Sequence, residues 1–130
     1  MLAEARRLTP GVTFYLGMAE NLPLEDGSVE LVTSTISFHH WQDQAAGLVE
    51  VRRILRPGGR FVLADFSMPL GLNHIMRHGR QVSASRMRRM FEQAGLEVKY
   101  QRRAVAGFVV VTAGTLVGTR SLEKKSGVHA

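Results

Sequence analysis

The run EVRRILRPGGRFVLADF, residues 50–66, constrains the fold of this 130-residue chain more than any other stretch. Its first part is helical in character, with Val51 and Leu55 continuing an apolar stripe begun by Ala45 and Leu48. The helix then breaks. Arg56 precedes a proline and is pushed out of helical geometry, Pro57 has no amide hydrogen to donate, and Gly58 and Gly59 permit the positive φ of a tight reversal. Residues 60–66 follow without a linker and predict an apolar strand, as in a compact helix-to-strand connection. Such a junction belongs to folds that lay helices over a sheet.

The rest of the chain extends this pattern. Residues 2–8 read as a short helix, with Leu2, Ala5 and Leu8 on one face and Pro10-Gly11 ending it. Residues 12–16 are β-prone and predict a strand, and residues 21–28 predict a loop around Leu22-Pro23 and Asp26-Gly27. Residues 29–34 predict a second strand, apolar enough to be buried on both faces. A connection carrying Ser37, Phe38, His39, His40 and Trp41 leads to Asp43, the expected N-cap of the helix that enters the junction.

Beyond the junction, residues 67–82 form a long irregular segment containing His74 and His78, of a length that is commonly functional or mobile. Ser83 or Ser85 caps a helix with Met87, Met90, Phe91 and Ala94 on one face and Gly95 as its C′ residue. Residues 98–103 and 108–112 predict two final strands joined through Ala106-Gly107, and a tail begins at Gly114. The order α, β, β, α, β, α, β, β predicts an α/β protein whose parallel sheet ends in an antiparallel hairpin.

The formal charge of +6 is lopsided. Up to Glu50, two arginines face seven acidic residues; beyond it, fifteen cations face four acids. A basic half suits a nucleic acid or an acidic partner. Few aromatics interleave with the arginines, so solvated helix faces are expected and nucleic acid is not the expected partner. The absence of cysteine rules out disulfides and thiolate metal sites within these residues, and no histidine spacing makes a metal site. No run has the length of a membrane span, and residues 1–7 lack the apolar core of a signal peptide, so a cytoplasmic protein is expected.

The junction at 50–66 and the turn GMAENLP at 17–23 together resemble the class I S-adenosylmethionine-dependent methyltransferases, in particular the methyltransferase type 11, ubiquinone/menaquinone-biosynthesis-like group. The resemblance implies a Rossmann-like sheet of strand order 3-2-1-4-5-7-6 with the last strand antiparallel. Strands 3 to 7 are expected here, with residues 1–113 as the C-terminal part of the domain and 114–130 as a flexible tail. It also implies S-adenosylmethionine as cofactor. Met18 and Ala19 would flank its adenine, Ala19 through a backbone amide and Met18 by packing, where relatives commonly carry aspartate or asparagine. Ser34 and Thr35, with Ile36, would border its methionine portion at the carboxyl end of a strand. His39 and His40 lie where relatives often carry a histidine and are the candidate catalytic bases for the acceptor's proton. The structural alternative is that one histidine caps the next helix while Trp41 packs beneath it. The bend after Arg56 and the turn at Ala19 are expected to line one cofactor crevice.

Two parts of the family's site have no counterpart in these residues: the G-x-G-x-G loop after a first strand, and the acidic residue closing a second. The expectation is an N-terminally truncated chain. Its full-length form would methylate a small-molecule acceptor, while the chain alone would be weakly active or inactive. The alternatives are a non-catalytic remnant acting as an interaction module and a basic nucleic-acid-binding protein. A bared sheet edge would favour self-association.

Overall fold

The computed structural model describes residues 1–67 and 82–117. In chain order it holds α1 (Leu2–Leu8), β1 (Val29–Thr35), a 3-10 turn (Phe38–His40), α2 (Gln44–Ile54), β2 (Leu55–Phe66), α3 (Ala84–Gln93), β3 (Leu96–Ala104) and β4 (Val109–Leu116). The strands form one sheet in the order β1-β2-β4-β3. β1 and β2 are parallel, and β4 runs antiparallel to both β2 and β3. This is the α/β arrangement expected, in the order the resemblance implies for its last four strands.

One expected strand is not formed. Residues 12–16 have no ladder partner, and Val12, Tyr15 and Leu16 stay largely exposed. Strand preference is expressed mainly through packing on a neighbouring strand, and none of the described strands pairs with this segment. β1 is therefore an edge strand, and Leu31 is 54% exposed where burial on both faces was expected. α1 forms as expected but buries no residue. The expected loop at 67–82 lies, apart from Ser67 and Val82, outside the described residues, as do His74, His78 and residues 118–130. β4 continues to Leu116, past the expected strand end at 112.

The junction is woven into the sheet more closely than its sequence suggests. The parallel register pairs Val29 with Leu55 and then Leu31 with Arg60, so residues 56–59 loop out opposite Glu30. β2 thus starts at Leu55 rather than Arg60, interrupted by the bend. Gly58 has φ +80°, and a Cβ on Gly59 would lie 2.7 Å from the Arg56 carbonyl oxygen. Only glycine allows so close an approach of two backbones. The Arg56 guanidinium donates to Glu30 at 2.9 Å across the loop.

The core lies between the sheet and the helices α2 and α3, where Leu48, Val51, Leu55, Phe61, Leu63, Met87, Phe91 and Leu96 are buried together. Phe61 and Phe91 stack at 5.3 Å between ring centres. Both expected N-caps are in place. Asp43 accepts the Ala46 amide at 3.0 Å, and Ser83, rather than Ser85, accepts that of Arg86 at 3.2 Å. Gly95 follows α3 with φ +87° as its left-handed C′ residue. The stripe expected on α2 is buried at Leu48, Val51 and Leu55 but not at its first position. Ala45 is exposed, and Gln44 is buried because its amide donates to the Phe38 carbonyl at 3.1 Å. The β3–β4 turn is centred on Val105 and Ala106, at φ 51° and 53°, one residue earlier than expected. No helix among the described residues is long and apolar enough to cross a membrane.

Candidate functional site

The parallel pairing brings the carboxyl ends of β1 and β2 side by side. Thr35 pairs with Ala64, whose carbonyl accepts the Ile36 amide at 2.8 Å. Ile36 then turns the chain with φ 52°, an outlier for a β-branched residue. A cleft of about 380 Å³ opens beside these strands. Met18, Ala19 and Leu22 form one wall, Ser34 and Thr35 another, and Trp41, Val51 and Phe61 contribute apolar surface. Four residues singled out by sequence, Met18, Ala19, Ser34 and Thr35, therefore line one cavity. Ile36 does not line it, although Ser37 does, and the Ser37 hydroxyl sits 2.8 Å from that of Ser34.

The wall carrying Met18 and Ala19 is a tight turn closed by a bridge in which the Asn21 amide donates to the Met18 carbonyl at 3.1 Å. α2 fixes this turn from the side. Glu20 accepts the backbone amide of Asp43 at 2.8 Å, and Glu50 accepts that of Leu22 at 2.9 Å. Arg53 donates to the Leu22 carbonyl at 3.0 Å, to the Leu24 carbonyl at 2.8 Å and to Asp26 at 2.7 Å, and it forks onto Glu50. The Arg53 hydrogen bonds, followed by the Leu22 amide, hold the Glu50 carboxyl below its ordinary range. The Asp43 amide does the same for Glu20. Arg53 is pushed upward, first by Glu50 and then by Asp26, and keeps its charge.

Trp41 supports the floor of the cleft. Its ring meets Phe38 edge-on at 5.0 Å and lies flush against α2 at Gly47, where a Cβ would come within 2.6 Å of the indole Cζ3. Trp41 thus packs beneath the helix as the structural alternative expected, whereas the cap is Asp43 and neither histidine.

The histidines are not walls of this cleft. His39 is buried and gripped by Asp65: one carboxylate oxygen accepts the His39 backbone amide at 2.7 Å, and the other lies 2.7 Å from Nδ1. In the neutral tautomer that donates from Nδ1 to Asp65, Nε2 is the acceptor. His40 is exposed, its ring centre 4.0 Å from that of His39. Two residues beyond Asp65, the Ser67 hydroxyl is buried with no hydrogen-bond partner among the described residues.

One expected juxtaposition fails. The bend after Arg56 lines a separate groove with Glu30 at the amino ends of β1 and β2, whereas Ala19 sits with Ser34 and Thr35 toward their carboxyl ends. A helix-to-strand connection must enter a parallel strand at its amino end, so the bend shapes the sheet and not the cleft. Sequence reasoning also missed Asp65, Glu50 and Arg53. Asp65 had a signal: in the alternation Phe61, Leu63, Asp65 it holds an inward position, where a carboxylate needs partners.

A family model described as a methyltransferase domain matches residues 1–63. The uncharacterized protein YafE of Escherichia coli K12 is 48% identical over 67 residues, covering 52% of this chain and 32% of that protein. The demethylmenaquinone methyltransferase of Beutenbergia cavernae is 44% identical over 69 residues, covering 53% and 29%. The chain thus spans about a third of the length of these curated relatives. The crystal structure of an S-adenosylmethionine-dependent methyltransferase from Aquifex aeolicus superposes with a TM-score of 0.72 at 17% identity, over 89% of this chain and 61% of that one. Sheet order, family match and relatives agree: residues 1–63 match a methyltransferase domain, and the chain is similar in sequence and fold to the class I S-adenosylmethionine-dependent methyltransferases.

Proposed function

We propose that the Met18–Ala19 turn and the Ser34–Thr35 strand end hold S-adenosylmethionine, in a protein that methylates a small-molecule acceptor. The observation that carries this reading is the convergence of those four residues on one cleft. Its volume of about 380 Å³ lies in the ordinary range for a small-ligand site, and it pairs apolar surface with few polar groups. The Ala19 amide serves an adenine acceptor, and the Met18 thioether packs on the ring. Ser34 and Thr35 offer hydroxyls to the polar end. The chemistry supplied by the bound cofactor is a methyl group on a sulfonium centre, open to in-line displacement.

Of the two candidate bases, neither of which lines the cleft, His39 is the one whose ring is held in a fixed orientation. Asp65 orients its ring, leaving Nε2 to take the acceptor's proton, with exposed His40 as its neighbour. Calorimetric titration of the 130-residue chain with S-adenosylhomocysteine tests the cofactor assignment. Saturable binding that is lost in Ala19→Pro, which removes the amide, is expected; no heat at millimolar ligand refutes it.

The second reading, an interaction module, draws on the edge position of β1 and the half-exposed Leu31. An unpaired strand edge pairs readily with another copy. Sedimentation velocity over a hundredfold concentration range tests this: reversible dimers are expected, and a monomer throughout removes the reading.

A further inference from the structure

We infer that Glu50 and Arg53, one turn apart on α2, are positioning residues that set cofactor affinity by holding the Gly17–Pro23 turn through its backbone. The inference rests on the cofactor reading above and adds to it the device that shapes the adenine wall.

Met18 and Ala19 lie in a turn outside the sheet, exposed on one side, with a single bridge of its own. Its geometry has to come from elsewhere. The leg leaving the turn runs through Leu22, Leu24, Asp26 and Gly27, and each of these contacts Glu50 or Arg53: the Leu22 amide and carbonyl, the Leu24 carbonyl, the Asp26 carboxylate, and the Gly27 amide on the Arg53 carbonyl at 2.9 Å. Most of these contacts are to main-chain atoms, so they fix the path of the loop whatever side chains it carries. Glu50 and Arg53 are partly buried and bonded to each other through two parallel contacts, which locks both rotamers before either meets the loop. A planar guanidinium can reach two carbonyls and two carboxylates at once; an ammonium cannot. Because Leu22 itself lines the cleft, a shift of this leg is a shift of the wall.

The test compares Arg53→Lys, Arg53→Met and Glu50→Gln with wild type, using S-adenosylhomocysteine titration and amide hydrogen exchange. Arg56→Met, which breaks only a surface ion pair, serves as the control. Loss of a charge-assisted hydrogen bond predicts affinity weakened by about tenfold or more in both Arg53 variants. Faster exchange at Leu22 and Gly27 and unchanged exchange in β2 and β4 are expected alongside. Lysine should fail to rescue methionine, and Arg56→Met should bind as wild type does. Affinity in Arg53→Lys and Arg53→Met equal to wild type overturns the inference while leaving the cofactor reading intact. If Arg53→Met loses protection throughout the sheet, Arg53→Lys and Glu50→Gln decide the matter on the same readouts. A wild-type chain that binds no ligand removes the cofactor reading and this inference with it.

Discussion

Asp65 holds His39 by both main chain and side chain, each contact 2.7 Å long, at the point where β2 leaves the sheet. The pair is buried, so its loss exposes unpaired groups to a medium that cannot solvate them. Asp65→Ala should cost about 2–4 kcal/mol, read as a lowered urea midpoint, while Asp65→Asn, which keeps one acceptor for the His39 amide, should cost less. Equal losses in both variants would show that the retained amide acceptor contributes little and that the carboxylate contact to Nδ1 carries the effect.

Met18 stands where relatives commonly carry aspartate or asparagine. A carboxylate can accept from an adenine amino group where a thioether cannot do so strongly. Met18→Asp should tighten S-adenosylhomocysteine binding by about fivefold, the effect of one added hydrogen bond. The side chain is half exposed, so the exchange should leave stability nearly unchanged. Weaker binding would place the adenine elsewhere.

The loop clamp depends on pH. Glu50 and Glu20 have folded-state pKa values below the ordinary 4.5, through Arg53 and the Leu22 amide for the first and chiefly the Asp43 amide for the second. A carboxyl lowered in this way contributes stability that is complete above its unfolded value and is lost as pH falls through its folded value. Stability should therefore hold near neutrality and fall on acidification below about pH 4.5. Glu50→Gln and Glu20→Gln should each flatten that acid limb in urea midpoints measured against pH. An unchanged limb in both variants would remove the clamp's contribution.

The β3–β4 turn carries two left-handed residues that are neither glycine nor asparagine, Val105 and Ala106, closed by the Gly107 amide on the Ala104 carbonyl at 3.2 Å. Asn-Gly suits this geometry far better. Val105 is 72% exposed, so replacing it sacrifices little burial. The double substitution Val105→Asn, Ala106→Gly should stabilise the chain by about 1–2 kcal/mol in urea unfolding. No gain would mean that the turn differs in solution.

Much of this architecture is legible in the sequence because local chemistry determines it. Asp43 and Ser83 cap helices by side-chain reach alone, and Gly95 ends one through its φ. The turn at Met18-Ala19 and the strand end at Ser34-Thr35 were readable as partners only through the family resemblance. What the sequence did not disclose depends on neighbours. Residues 12–16 have the composition of a strand but no ladder to join. Leu31 looks interior but lies on the outermost strand. Asp65 looks like the end of an apolar run until His39 arrives from 26 residues away. The Arg56 bend is easily recognised, yet its Gly59 makes room for the Arg56 and Glu30 carbonyls at the far end of the sheet from the cleft.

Among the described residues, β1 is hydrogen-bonded along one side only, through β2. The strand presenting Ser34 and Thr35 is thus the one that can peel away without disturbing the β2–β4–β3 ladder, and its amides should be the first of the sheet to trade hydrogen for deuterium. A molecule lodged between that strand and the Met18 turn would act as a splint. The slowing it imposes on β1 would report occupancy directly, even in a preparation with no turnover.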